Sequence, residues 1–295
     1  MGKISKAKRA AKRQRTVDAP TDKTIADAKA ATTTAVEASA ATQDRNAKRK
    51  REAQNAASLL PPPARSKAAL SDRVKKYWFR RHTLFSRFDE GIRMDEQGWF
   101  SVTPEPIAQY LAERCRCDTI LDLFAGVGGN AIQFAETCEQ VVVVELDPVR
   151  MACTQHNAEV YGVADRIEYV LGDAIAYMER TRAVPDVVFL SPPWGGPEYL
   201  ALDEYMFDQI PLDWPRLLAA CLAKTRNLAM YMPKNLSAAC IQEMAAIAGP
   251  LAVEEIVTHG SVRAVMLYTG ELARVVAATA GALDPADEVN GDVVV

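Results

Sequence analysis

The stretch Leu121-Asp122-Leu123-Phe124-Ala125-Gly126-Val127-Gly128-Gly129-Asn130 decides the fold. The apolar run Thr119–Phe124 reads as a buried strand, and the glycines after it turn the chain sharply into a helix predicted over Gly129–Glu136. Outward from this loop the same alternation repeats. Gln140–Leu146, nearly all valine, is a second buried strand, and Pro148–Tyr161 is a helix with proline in its first turn. Strands at Arg166–Leu171, Asp186–Ser191 and Asn227–Met232 alternate with helices at Asp173–Arg182, Asp213–Lys224 and Leu236–Ile247. Strands Ala252–Thr258 and Val262–Thr269 close the series around a short turn near Gly260. The pattern predicts a doubly wound α/β fold, with a mostly parallel seven-stranded sheet and helices on both faces. The last two strands must pair antiparallel, because so short a connection cannot cross over.

The flanks differ from this core. Residues 1–65 are rich in Ala, Thr, Lys and Arg and poor in large apolar groups, which predicts a disordered basic arm. Its clusters Lys6–Arg15 and Lys48–Arg51 fit nuclear-localisation or RNA-contacting patches, and Pro61, Pro62 and Pro63 forbid helix where the arm ends. A helical extension is predicted over 66–100, with a helix at Lys67–His82, followed by the α/β domain over 101–273 and a disordered tail over 274–295. Net charge is −3, yet through His82 there are 21 Lys/Arg against 7 Asp/Glu, and beyond it 14 against 31. A basic arm on an acidic domain suits a polyanionic partner such as RNA, or serves merely as a solubilising tail. The six cysteines show no zinc-ligand spacing and read as free thiols, so no metal is expected. No apolar run reaches membrane-spanning length, and the basic N-terminus lacks the apolar stretch of a secretory signal.

Three strand ends carry carboxylates. Asp122 lies four residues before Gly126, where a carboxylate accepts from an ammonium but repels a pyrophosphate. S-adenosylmethionine carries such an ammonium and NAD does not. Glu145, 19 residues after Gly126, stands where an acidic side chain holds two ribose hydroxyls. Asp173, after the third strand, can accept from an adenine amino group. The alternatives are a solvated turn for Glu145 and a helix cap for Asp173. Gly126 and Gly128 allow close backbone approach to a ligand. Together with a sheet closed by a hairpin, these carboxylates point to a methyltransferase using S-adenosylmethionine.

The fourth strand runs into Ser191-Pro192-Pro193-Trp194-Gly195-Gly196-Pro197. A polar residue, two prolines and an aromatic at this strand end mark methyltransferases acting on planar amino groups. An exocyclic amine is conjugated and poorly nucleophilic. Ser191 and the Pro192 carbonyl can accept from its N–H groups, the prolines hold these acceptors in place, and Trp194 offers a flat face for the base. The bland alternative is a rigid turn beside a core Trp.

Five blocks in the same order, Leu84–Ile92, Gly98–Glu105, Phe124–Phe134, Asn157–Gly162 and Ser191–Pro197, give the chain a close resemblance to the trimethylguanosine synthases from about Lys75 to Leu272. That family methylates the 2-amino group of a 7-methylguanosine RNA cap. The resemblance implies catalytic roles for Ser191, Pro192 and Trp194, with Trp194 stacked on the cationic base. It implies cofactor contacts from Asp122, Gly126, Gly128, Asn130, Glu145, Asp173, Phe85 and Thr103. Phe85 and Tyr199 join Trp194 in the implied substrate site, and charge alone adds Lys75, Arg80 and Arg81 as contacts to the cap triphosphate. Implied partners are capped small nuclear and nucleolar RNAs and ribonucleoproteins, met by a monomeric core in the nucleus or nucleolus. Glu145 departs from the family's usual aspartate, which lengthens the reach. The competing readings are an amino-methyltransferase for another nucleobase or for protein Gln or Asn, and a non-catalytic RNA-binding module, which would have a damaged glycine loop.

Overall fold

The computed structural model describes residues 58–274. The basic clusters Lys6–Arg15 and Lys48–Arg51 and the tail after Arg274 lie outside the described residues. Seven strands form one sheet: β1 (Thr119–Asp122), β2 (Gln140–Glu145), β3 (Ile167–Leu171), β4 (Val187–Leu190), β5 (Leu228–Pro233), β6 (Leu251–Thr258) and β7 (Ser261–Thr269), in the order β3-β2-β1-β4-β5-β7-β6. β1 to β5 are parallel, whereas β7 runs antiparallel to both β5 and β6. The carboxyl ends of the five parallel strands therefore share one edge, and the turn His259–Gly260 of the hairpin comes back to that edge beside Pro233.

Side-chain alternation sends each strand's residues to two separate cores. Ile120, Val141, Val143, Val187, Phe189 and Ala229 pack on one face; Leu121, Val142, Val144, Val188, Leu190 and Met230 pack on the other. Strands buried on both faces read as continuous apolar runs, which is why they were plain in the sequence. The helices Gly129–Thr137 and Pro148–Tyr161 cover the first face, and Ala174–Arg180, Trp214–Leu222 and Ala238–Ala248 the second. The helix Glu105–Arg114, which the sequence reading passed over, also packs on the first face through Ile107, Leu111 and Ala112. Its opening Pro104-Glu105-Pro106 resembles a loop, yet a proline in the first turn suits a helix start.

The N-terminal extension departs from expectation. In place of one helix over Lys67–His82 there are two 3₁₀ segments, Lys67–Ala69 and Lys75–Arg80, and a single α turn at Arg81–Leu84. Neither Ser66 nor Val74 caps its segment with a side chain, so tertiary contacts hold the chain instead. Trp78 sits edge-on to Phe88 and tilted against Trp99, and all three settle on the first core. The packed chain also begins before the expected boundary at 66, since Leu60 and Ala64 rest on the same core.

A buried polar cluster ties the helix Glu105–Arg114 to the far sheet edge. Glu254 on β6 accepts from Arg114 at 2.8 Å, from the Tyr268 hydroxyl at 3.0 Å and from the Tyr110 hydroxyl. The Arg114 and Glu254 side chains are only 11% and 2% exposed, so neither charge has water to replace its partner. Arg114→Met should therefore cost about 3–5 kcal/mol in urea unfolding. Adding Glu254→Gln should recover a large part of that loss, because it removes the stranded charge.

Candidate active site

The loop after β1 is held open from behind. The Gly126 N–H donates to Glu145 Oε2 at 2.9 Å, and the Gly126 carbonyl accepts from Thr154 Oγ1 at 2.8 Å. Gly126 has φ +56°, and a Cβ built there would meet nothing within 4 Å. The loop thus keeps an unfilled side toward the strand ends, as a backbone that approaches a ligand must. Gly129 is the opposite case. A Cβ there would lie 2.6 Å from Val102 Cγ2, so the glycine admits the N-terminal strap formed by Val102 and Thr103.

Asp122 ends β1 fully buried. Its Oδ1 accepts from the Phe124 N–H at 3.1 Å, while Oδ2 is buried without a partner. Burial, opposed by that hydrogen bond and reinforced by the nearby Glu145 charge, pushes its pKa up to about 7. A buried carboxylate oxygen with no donor is costly, and an incoming ammonium would satisfy it. Asn130 shows the same incompleteness. Its Nδ2 donates to Thr103 Oγ1 at 3.1 Å, and its Oδ1 is buried and unpaired.

Glu145 is more occupied than expected. Besides Gly126, it accepts from the Asp147 N–H at 2.8 Å and pairs with Arg150 at 3.2 Å. Its extra methylene lets it fold back onto the backbone, so a ribose would share a carboxylate already engaged. Asp173 caps the helix Ala174–Arg180, accepting from the Ala176 N–H at 2.8 Å. The sequence missed two hydrophobic neighbours. Leu146 and Leu171, immediately after and at the ends of β2 and β3, are 66% and 56% exposed. Exposed leucines beside these carboxylates suit the faces of an adenine ring. Their signal was available as large apolar residues at two adjacent strand ends.

At the end of β4, Ser191 is partly exposed and Pro192 buried. Ser191 Oγ points its hydrogen toward the Phe124 carbonyl at 3.5 Å, which leaves its lone pairs free. Trp194 is stacked on Tyr231 with centroids 5.5 Å apart and 27° between planes, and meets Tyr199 edge-on at 5.1 Å. The half-exposed indole has a buried Nε1 with no acceptor. Tyr231 was not foreseen, since its place in a buried strand gave no hint that it backs the Trp.

Several implied contacts go elsewhere. Phe85 is 2% exposed and packs against Tyr161 in the core, so it offers no ring to an open site. Arg81 lies over the Trp78 ring at 4.4 Å, donates to the Trp78 carbonyl and faces Asp89 at 3.8 Å, contacts that brace the extension. Lys75 pairs with Asp72 at 2.6 Å. Arg80 stays exposed at the active edge, while Thr103 is buried beside Asn130. The blocks around Phe85, Glu105 and Asn157 act as joints. Glu105 accepts from the Ser86 N–H and Oγ and the Tyr161 hydroxyl, and Asn157 bridges the Arg93 and Val127 backbones.

A parallel sheet closed by an antiparallel strand, a glycine loop after β1 and a Ser-Pro-Pro-Trp loop after β4 define a class I S-adenosylmethionine-dependent methyltransferase. A methyltransferase structure from Porphyromonas gingivalis W83 shares this fold, with a TM-score of 0.54 at 15% identity over 72% of this chain and 51% of that one. A family model described as RNA cap guanine-N2 methyltransferase matches residues 117–272. The trimethylguanosine synthase of Schizosaccharomyces pombe is 38% identical over 182 residues, 59% of this chain and 74% of that protein. The trimethylguanosine synthase of Saccharomyces cerevisiae is 39% identical over 181 residues, 58% of each chain. The chain belongs to the RNA cap guanine-N2 methyltransferase family.

Asp122→Asn keeps the shape of the carboxyl but removes its charge. S-adenosylmethionine affinity should fall about tenfold or more, one pKa unit being worth about 1.4 kcal/mol. Stability should move the other way. A carboxyl whose folded pKa is raised favours folding below its ordinary pKa of 3.8 and loses that contribution as pH rises through about 7. The variant should therefore match or exceed the wild-type melting temperature at pH 8, checked by calorimetry beside the binding titration.

Proposed function

We propose that this enzyme transfers methyl groups from S-adenosylmethionine to the exocyclic 2-amino group of a 7-methylguanosine RNA cap, forming the 2,2,7-trimethylguanosine cap. The observation that carries the reading is Trp194. Its indole is backed by Tyr231, bordered by Tyr199 and placed three residues beyond Ser191. A cationic 7-methylguanine gains more from such a shelf than neutral guanine does, by about 0.5–2 kcal/mol for an aromatic face and a cation. The unpaired indole N–H is a further donor for an acceptor on the bound cap.

Bound S-adenosylmethionine would supply an electrophilic methyl group. Asp122 would accept from its ammonium, Glu145 would share its carboxylate with the ribose, and Leu146 and Leu171 would flank the adenine. Asp173 keeps a second oxygen beyond its cap, available to an amino group. The chain's own contribution to the reaction is placement. Ser191 Oγ and the Pro192 carbonyl accept from the amino group, turn its lone pair toward the cofactor loop and favour positive charge on nitrogen. Pro192 and Pro193 fix the backbone that carries both acceptors, so orientation does the larger part of the work. Nuclear or nucleolar action on small nuclear and nucleolar RNAs fits this substrate and the basic composition of the N-terminal arm. No helix among the described residues is long and apolar enough to cross a membrane.

Methyl transfer should be seen with 7-methylguanosine diphosphate and not with GDP when both are offered with labelled S-adenosylmethionine. Transfer to neither by a cofactor-binding enzyme would overturn the cap reading. Trp194→Ala should abolish cap binding with cofactor affinity within about twofold of wild type, and Trp194→Phe should restore part of it. Loss of cofactor binding in Trp194→Ala would instead make the indole a packing residue.

A further inference from the structure

A second concavity opens at the active edge beside Tyr231. It encloses about 140 Å³ and is lined by Arg80, Thr83, Pro104, Pro106, Ile107, Tyr231, Thr258, His259 and Arg263. Four parts of the chain build it: Arg80 and Thr83 of the extension, the start of the helix Glu105–Arg114, Tyr231 on β5, and the β6–β7 hairpin. Its wall is Tyr231, the ring already stacked on Trp194. Its apolar lining includes Ile107, Pro104 and Pro106. Its rim is basic, carrying Arg80 and Arg263. Among the described residues neither guanidinium is ion-paired, and Arg263 is oriented by an Nε hydrogen bond to Thr258 Oγ1 at 2.8 Å.

An apolar cleft under two guanidinium groups suits a flat heterocycle attached to phosphates. The volume is below the roughly 300 Å³ at which pockets for drug-sized ligands begin, so it admits one ring system. The sharing of Tyr231 matters most. A guanine held on Trp194 is joined through its polyphosphate to the next nucleotide, and the ring that backs Trp194 also lines this cleft. We infer that this cleft is a subsite for the nucleotide that follows the cap, with its base or ribose against Tyr231, Pro104 and Pro106 and its phosphate on Arg263. The inference rests on the cap reading of Trp194 and extends it to the RNA body. It would let the enzyme favour a capped RNA over a free cap nucleotide.

Arg263 is the residue to test. It lies on an exposed hairpin and has no part in the cofactor loop or the Ser191–Trp194 loop. The experiment compares kcat/KM for 7-methylguanosine diphosphate and for a capped ten-nucleotide RNA, in wild type, Arg263→Glu and Arg263→Lys. Arg263→Glu should lower kcat/KM for the capped RNA about tenfold, leave the diphosphate unchanged, and flatten the salt dependence for the RNA by about 0.7 in log–log slope, the expectation for one lost single-strand phosphate contact. Arg263→Lys should stay within about threefold of wild type on both substrates, since it keeps the charge. An Arg263→Glu enzyme that falls equally on both substrates, or on neither, would overturn the subsite. Wild-type enzyme that methylates neither substrate would instead sink the cap reading beneath it.

Discussion

Everything at the active edge depends on one constraint: a carboxylate buried at the end of β1 with one oxygen left without a donor. Asp122 lies on the same face of the sheet as Ile120 and two residues along, inside the first core. A protein interior tolerates such a group only where something else completes it. The glycine loop does not do so, and its Gly126 N–H is given to Glu145 instead. The strap does not either, because Thr103 reaches only Asn130. The geometry is thus complete on the protein side and incomplete on the ligand side. In the proposed reading that asymmetry would place the cofactor amine, and the positions of the methyl group and the reacting base would follow from it.

The N-terminal extension gives this edge its rigidity. Glu105 and Asn157 are two buried hubs that gather Ser86, Tyr161, Arg93 and the Val127 carbonyl into one framework. The strap therefore belongs to the cofactor loop mechanically even where it touches no ligand. Gly129 shows how closely they fit, since any side chain there would strike Val102. The stack of Trp194 on Tyr231 fixes the aromatic shelf proposed for the base. It joins a loop to a central strand, so the shelf is set by the sheet.

The sheet could be read from the sequence because valine-rich runs on both faces have few other solutions, and the loops at their ends follow from that. Asp122 and Glu145 share a face by simple alternation, so their convergence was also foreseeable. What failed was direction and partnership. Arg81 and Phe85 had the right chemistry for a substrate site, yet one stacks on Trp78 and the other is enclosed with Tyr161. Sequence spacing cannot say which way a guanidinium or an aromatic turns in, or just after, a single α turn that no side chain caps. Glu145 likewise had the right position, but its added length lets it bind Gly126, Asp147 and Arg150. The helix Glu105–Arg114 had its signal, apolar residues at 107, 108, 111 and 112, hidden behind two prolines.

The most direct measurement is the proton released when cofactor binds, taken by titration calorimetry in two buffers of different ionisation enthalpy across about pH 6 to 8. Burial holds Asp122 near a pKa of about 7, so the free enzyme carries a proton there over part of this range. An ammonium placed against Oδ2 must displace it. Release of a substantial fraction of one proton near neutral pH, absent in Asp122→Asn, is the expected result. Binding of equal strength in wild type and variant, with no proton exchanged by either, would contradict the role given to the buried carboxylate.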